Sequence, residues 1–409
     1  MKKQRLGVKL ICLLVTALFT LFILNSYLVS ATDEKIRIIT NSEKEESLAL
    51  ANDCVLVREI KNVDFKAFEC SNEIKSAEVT SNDVASRNAV SVNVESPLDL
   101  REDIKVHALD VEANKQIRAD LVQSPNKIGS NGNTGKGRKI VVIDTGYNYL
   151  HPDLASSYLG GYDFVNDDND PMDDNGHGSH VAGLITADGI LDPKAKGVAP
   201  DAEIISAKVL GYNGIGYFSD FVAAIYWAVD GSDGVYGTED DFNADAISMS
   251  IGSFAPLVYT GFCDDVYPPI TEAIKYANSK GVSVVVAAGN DGSSGVTIPG
   301  CVSYSFTVGA VDNQDKIASF SGSGSSVDIL APGVGLYSTY LGNEYRYADG
   351  TSMATPIVSG VIALMKKKNP SASAFQIQKT LLETVVKFGS KRSRSTLGRV
   401  DAYAAVRRI

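Results

Sequence analysis

Positive charge is in short supply in this 409-residue chain: 38 lysines and arginines face 49 aspartates and glutamates, a formal net charge of -11. That balance argues against a nucleic-acid partner, because phosphate backbones are bound by clustered cations that release counterions. The one short basic patch, Lys391 to Arg394, reads as a solvated surface turn. Histidine is scarcer still, with only His107, His151, His177 and His180 to choose from in a search for a general base. No internal repeat or low-complexity tract occurs, and no apolar run after the N-terminus has the length of a membrane span. What is present is ordinary for a folded protein, with 44% hydrophobic and 21% charged residues. The length suits one large domain with a smaller companion.

The N-terminus places Lys2, Lys3, Arg5 and Lys9 before LICLLVTALFTLFIL, then turns polar and reaches the small residues Ser30 and Ala31. This layout predicts a signal peptide over residues 1–31 and a secreted location, extracellular or periplasmic, with no stable membrane association after cleavage. An uncleaved anchor is the alternative. Export permits disulfides. Cys12 would leave with the signal, and Cys54, Cys70, Cys263 and Cys301 allow three pairings among which the sequence does not choose. If the chain is cut between Cys70 and Cys263, the local pairs Cys263–Cys301 and Cys54–Cys70 are favoured, because a cross-link would tether the two pieces.

Residues 32–109 are charged, with short strand-like runs (IRIIT, VLVREI, AVSVNV), and read as a small α+β unit. From residue 110 to 409 the pattern alternates. IVVID, EIISAKVL, AISMSIG, VSVVVAAGN and SFTVGAV read as buried strands. FSDFVAAIYWAVD, ITEAIKYANSKG, SMATPIVSGVIALMKKK and AFQIQKTLLETVV read as helices. The expectation is an α/β domain with a mostly parallel sheet flanked by helices, and ligands gathered at the carboxyl ends of the strands. Asp144 closes one such strand and Asn290 follows another, though both would also serve as turn formers. GSNGNTGKG is no phosphate loop, since its glycine spacing is wrong and Gly137 stands where Ser or Thr is required.

Ser352, in GTSMATP, precedes an apolar helix and by itself could be a helix cap. His177 and His180 in NGHGSHVAG do not fit the zinc-protease spacing, and the glutamate that motif needs is missing. Asp144, His177 and Ser352 together make an orienting acid, a base and a nucleophile. At a helix N-terminus Ser352 would have free N–H groups and the positive end of the dipole close to developing negative charge. An esterase of the G-x-S-x-G type is disfavoured, because Ser352 stands in G-T-S-M-A. A catalytically silent protease fold kept as a binding module is the alternative from another class.

DTG with HPDL, NGHGSHVAG, AAGN and GTSMATP, in this order from about residue 125 onward, resemble the subtilisin-like serine proteases. The resemblance implies Ser352 as nucleophile, His177 as base then acid, Asp144 as its orienting partner, and Asn290 as an oxyanion donor beside the Ser352 N–H. It implies an extended polypeptide substrate between Ser250, Ile251 and Gly252 on one side and Gly214 to Gly216 on the other. Phe218 and Phe221 would line a pocket for an apolar P4 residue, with helix core packing as the competing reading. Ala287, Gly289 and Thr297 would line an uncharged P1 pocket. In YDFVNDDNDPMDDNGHG, the resemblance maps a structural calcium onto Asp163, Asn166, Asp168, Asp170 and the Met172 carbonyl, against the alternative of an ion-free acidic loop. Asp153 matches a ligand of a second site whose completing loop is replaced by ADGILDPKAK. Residues 32–109 resemble the family's propeptides, which implies autocleavage between Leu100 and Asn114, with VHAL ending at Leu109 one candidate. A monomer whose partners are its substrates and its own propeptide is expected.

Overall fold

The structure is a computed structural model. It describes residues 113–128, 131–388 and 397–409, and, nearer the N-terminus, 36–40, 47, 49–50, 53–60, 65–70 and 101–102. The signal segment 1–31, AVSVNV, His107, VHAL and the patch Lys391 to Arg394 lie outside the described residues. The chain divides into two compact units, Met1–His107 and Ala108–Ile409.

In the first unit, β1 (Ile36–Thr40), β2 (Val55–Ile60), β3 (Phe65–Cys70) and β4 (Arg101–Glu102) form an antiparallel sheet in the order β2-β3-β1-β4. β-Branched and aromatic residues, enriched in strands, recur in β1 to β3. A disulfide joins Cys54 to Cys70, and both cysteines pack with Phe68 and Ala49.

The second unit is built on a nine-stranded sheet. Its strands are β5 (Lys139–Asp144), β6 (Tyr158–Asp163), β7 (Glu203–Lys208), β8 (Ala246–Met249) and β10 (Ser283–Ala287), then β12 (Phe306–Val311), β13 (Ile329–Pro332), β16 (Val386–Lys387) and β17 (Gly398–Arg399). They lie in the order β16-β17-β13-β12-β10-β8-β5-β7-β6. Every neighbouring pair is parallel except β16 with β17. Two short antiparallel pairs stand apart: β9 (Val258–Tyr259) with β11 (Val296–Thr297), and β14 (Leu336–Thr339) with β15 (Tyr345–Ala348).

Eight α-helices complete the unit among the described residues: α1 (Ala113–Gln116), α2 (Ala119–Gln123), α3 (His177–Thr186), α4 (Phe218–Asp230), α5 (Pro268–Ser279), α6 (Thr351–Lys368), α7 (Ala374–Thr384) and α8 (Ala402–Arg408). The continuous apolar runs are explained by cover on both faces of the sheet. Alternate residues of β5 enter different cores: Ile140 and Val142 pack with residues of α3 and α6, while Val141 and Ile143 pack with residues of α4 and α5. The helix α7 starts on a capping box, in which Ser373 and Gln376 bond each other's backbone N–H.

Every strand and helix run read from residue 110 onward is present. Four sheet strands escaped the sequence reading. The edge strand β6, YLGGYD, carries two glycines in place of an apolar run, β13, ILAP, is too short to show a period, and β16 and β17 are only two residues each.

The second disulfide, Cys263–Cys301, closes a loop over a sequence separation of 38. It holds residues 253–266 against the segment after β11. Replacing both cysteines by alanine, in a Ser352→Ala background that prevents proteolysis, is expected to lower unfolding free energy by about 2 to 4 kcal/mol. Urea melts check this, and an unchanged midpoint would mean that the loop is held by its other contacts alone.

Candidate active site

The site begins where β5 ends. Asp144 is 1% exposed, and its Oδ1 accepts the Thr145 N–H at 2.7 Å and lies 2.7 Å from His177 Nδ1. His177 opens α3, with a side chain 30% exposed. Because Nδ1 is taken up by Asp144, Nε2 is the ring nitrogen free to act as base. Burial alone would lower the imidazole pKa, but the Asp144 carboxylate outweighs it and the net shift is upward from 6.5.

The position of His177 rests on Asp173, a residue the sequence reading passed over as one more member of an acidic run. Asp173 is buried and accepts five hydrogen bonds, from the N–H groups of Asn175, Gly176 and Ser179 and the hydroxyls of Thr145 and Ser179. Burial would raise its pKa, yet these donors hold it below the usual carboxylate value. Thr145 Oγ1 also accepts the Gly178 N–H at 2.8 Å, so the end of β5 and the start of α3 are tied through one hydroxyl. Nothing in the sequence singles Asp173 out from its acidic neighbours, because it stands three residues before the N-cap position Gly176. The glycines flanking His177 are sterically required. Gly176 has φ of 102°, and a Cβ on Gly178 would stand 2.2 Å from the Gly146 carbonyl oxygen.

Ser352 is the second residue of α6 and Asn290 lies beyond β10. Asn290 Oδ1 accepts from the N–H and hydroxyl of Thr351 at 3.0 and 3.1 Å, which leaves Nδ2 as its spare donor. The Ser352 N–H belongs to the first turn of α6, where backbone donors have no intrahelical acceptor. Ser352 Oγ donates to the Ser250 carbonyl at 3.2 Å, and Ser250 Oγ donates to the Ser352 carbonyl at 2.7 Å. Among the described residues no hydrogen bond joins Ser352 Oγ to His177, a contact that is commonly open before substrate arrives.

His177, Ser352 and Asn290 line a single cleft of about 640 Å³. Of the expected substrate-binding residues, Ser250, Ile251, Gly252, Gly214, Phe218 and Phe221 line it as well. Phe218 also stacks edge-on against Phe221, with centroids 5.6 Å apart, so it both packs and lines. Ala287 and Thr297 are buried. The Thr297 side chain fills the space between Gly252 and Gly289, where a Cβ on either glycine would meet it within 2.7 Å. The sequence reading missed Phe254 to Leu257, which form a further wall of the cleft. They follow Ser250–Ser253, the segment after β8, but nothing in their residue types marks a binding role.

The other histidines have separate positions. His180 is buried with Nε2 2.9 Å from the Arg346 carbonyl, and burial lowers its pKa to about 4, so it is neutral and structural. His151 is buried beside Tyr345. In the acidic loop, Asp163 accepts from the N–H groups of Val165 and Asn166 and from the Asn166 amide, Asp168 accepts from the Asp170 N–H, and Asp170 accepts from the Tyr149 hydroxyl. Among the described residues no three acidic, histidine or cysteine side chains converge at metal distance. The donor set is nonetheless all oxygen, as a hard divalent cation requires, and a β-bridge holds Asp163 against Asp168. Asp153 instead spends both carboxylate oxygens on Leu191, Asp192 and Tyr345.

A parallel α/β sheet with an Asp–His pair, a helix-start serine and a facing amide at its carboxyl edge defines a serine hydrolase of the subtilisin type. A profile of the subtilase family matches residues 135–400. A thermophilic serine proteinase of Bacillus sp. (strain AK1) is 39% identical over 66% of this chain and 62% of its own length, so the match spans less than two thirds of that relative. Subtilisin BL of Lederbergia lenta is 40% identical over 70% of this chain and 96% of its own length. The crystal structure of a cold adapted subtilisin-like serine proteinase superposes with a TM-score of 0.55 at 31% identity, covering 68% of this chain and 89% of that one. The chain belongs to the subtilase family of serine-type endopeptidases.

The His177 pair sets a pH dependence. A base that must be neutral, with a pKa raised by Asp144, puts the acid limb of kcat/KM above pH 6.5. Asp144→Asn removes the charge that raises it, so the limb should move to lower pH while kcat falls by roughly 10⁴. A pH–rate profile on a peptide anilide checks both; an unmoved limb would detach His177 from it.

Proposed function

We propose that this protein is an exported, self-processed endopeptidase that cleaves peptide bonds through an acyl-enzyme on Ser352. The observation that carries this reading is the 2.7 Å Asp144–His177 contact opening onto the cleft that holds Ser352 and Asn290. Ser352 Oγ attacks the scissile carbonyl carbon as His177 Nε2 takes its proton. Asp144 keeps Nδ1 protonated and stabilises the imidazolium. Asn290 Nδ2 and the Ser352 N–H hold the oxyanion. The C–N bond then breaks, His177 gives its proton to the leaving amine, and water reverses the sequence to free the acid.

The substrate is an extended polypeptide paired to Ser250–Gly252 and Gly214–Gly216. Phe218 and Phe221 accept an apolar P4 side chain. Uncharged P1 residues are preferred, since Ala287, Gly289 and Thr297 put no charge near that pocket.

The first 31 residues direct export, and residues 32–109 assist folding and inhibit until cleavage between Leu100 and Asn114. That Subtilisin BL is matched over 96% of its length by 290 residues supports a working enzyme made of the second unit alone. One structural calcium would be held by Asp163, Asn166, Asp168, Asp170 and the Met172 carbonyl. When bound, it would supply a charge that draws the acidic loop together. The mature protein acts as a monomer.

Three experiments test this reading. Wild type should take a fluorophosphonate label and lose its N-terminal unit by mass, while Ser352→Ala does neither; a folded wild type that stays whole and unlabelled would instead favour the silent binding module. Asn290→Ala should cost roughly 2.7 to 4 kcal/mol in the transition state, as in the subtilisin precedent, with KM little changed. An unaltered kcat would remove Asn290 from the oxyanion site. Chelation should lower Tm more than it lowers kcat, and a melt indifferent to chelator would leave the loop ion-free.

A further inference from the structure

Asp144 and Asn290 lie at the carboxyl ends of β5 and β10, whereas a separate cleft of about 450 Å³ opens at the other end of the parallel sheet. There Tyr304 precedes β12, Asp328 immediately precedes β13, and the helices α5 and α7 contribute Asn278, Phe375, Gln378 and Leu382. The walls are apolar and unusually open: Phe375 is 71% exposed, Tyr304 41% and Leu382 40%.

The floor is polar and incompletely matched. Asp328 Oδ2 accepts the Thr307 N–H at 2.8 Å, and among the described residues no lysine or arginine lies within ion-pair distance of its carboxylate. Burial pushes this carboxyl up to about 6, so at neutral pH it carries a charge in an environment that penalises it. Glu383, on the same rim, is already paired with Arg408 at 2.6 Å, and Lys379 is the only cation among the lining residues. Two more polar atoms in the wall, Asn278 Oδ1 and Gln378 Nε2, are buried without partners. The Asn278 amide nitrogen is spent on the Tyr304 carbonyl at 2.6 Å, which fixes that side chain with its oxygen unmatched. A half-buried carboxylate without a cation and a buried amide oxygen without a donor are both matched by a ligand that brings positively charged N–H groups.

We propose that this cleft is a second binding site, distinct from the active cleft, for a primary ammonium or guanidinium group carried on an apolar stem. The cation pairs with Asp328, and its remaining N–H groups face the Asn278 oxygen. The stem lies between Tyr304, Phe375 and Leu382; the exposed Phe375 ring also attracts positive charge, while the Tyr304 ring already has the Lys275 ammonium 5.7 Å from its centroid. The ligand chemistry is shared by free arylalkylamines and by lysine or arginine side chains of a polypeptide. A bare metal ion would leave the aromatic walls without a role.

The test is calorimetric titration of full-length Ser352→Ala with phenethylamine and with its neutral counterpart 2-phenylethanol. One equivalent of phenethylamine should bind, with the alcohol at least tenfold weaker. Asp328→Asn should weaken amine binding tenfold or more, and Phe375→Ala several-fold. Competition by Nα-acetyl-lysine amide would assign the site to polypeptide side chains, and its failure to compete would assign it to free amines. Equal affinity for amine and alcohol overturns the proposal, as does an Asp328→Asn protein that binds as wild type. Should Asp328→Asn not fold, the exposed Phe375→Ala still decides, since unchanged affinity there means that the aromatic wall is not used.

Discussion

A catalytic Asp–His pair needs two residues 33 positions apart held at 2.7 Å, and a single buried carboxylate makes that possible here. Asp173 gathers five donors around the turn that launches α3 and, through Thr145, reaches the residue next to Asp144. Each of these bonds is charge-assisted and stronger than a neutral one. Together they make the first residue of a helix part of the same rigid body as the last residue of a strand. The imidazole therefore meets Asp144 without its own rotamer having to be chosen at the moment of reaction.

Rigidity of that kind requires a frame, and the sheet supplies it by being buried on both faces. Alternate residues of β5 belong to two different cores, so Asp144 cannot shift without disturbing both. Ser352 arrives from the opposite direction, on an 18-residue helix almost wholly buried along its length. The Thr351 N–H and hydroxyl bind Asn290, so the helix start that presents the serine also fixes the amide facing it. The serine and the amide thus share one anchor, and substitutions at Thr351 would be felt by both.

Much of this was legible in the residues. Apolar runs such as IVVID and VSVVVAAGN mark strands covered on both sides, and their polar ends fall at the carboxyl edge where ligands collect. The histidines that look alike in NGHGSHVAG separate only in three dimensions: His177 gains a carboxylate, while His180 is sealed against a backbone carbonyl. The acidic run hid Asp173 because composition does not distinguish a carboxylate turned inward, with five donors, from exposed neighbours such as Asp167 and Asp174. Thr297 is a related case. It is buried, and its side chain fills the space that Gly252 and Gly289 leave open. Such packing depends on non-local contacts that no periodicity records.

The wall formed by Phe254 to Leu257 shows how the same frame reaches substrate choice. Ser253 bonds Ile298 through its N–H and hydroxyl, and its hydroxyl also bonds the Leu257 carbonyl, so the turn that follows Ser253 is closed on itself. Further along, β9 pairs with β11, and the Cys263–Cys301 disulfide ties the segment back to the body of the domain. An exposed phenylalanine on a turn this constrained has little freedom to withdraw when a substrate side chain approaches. Selectivity at this end of the cleft then comes from a preformed shape, not from a loop that closes over the ligand, and its entropic cost has already been met in folding.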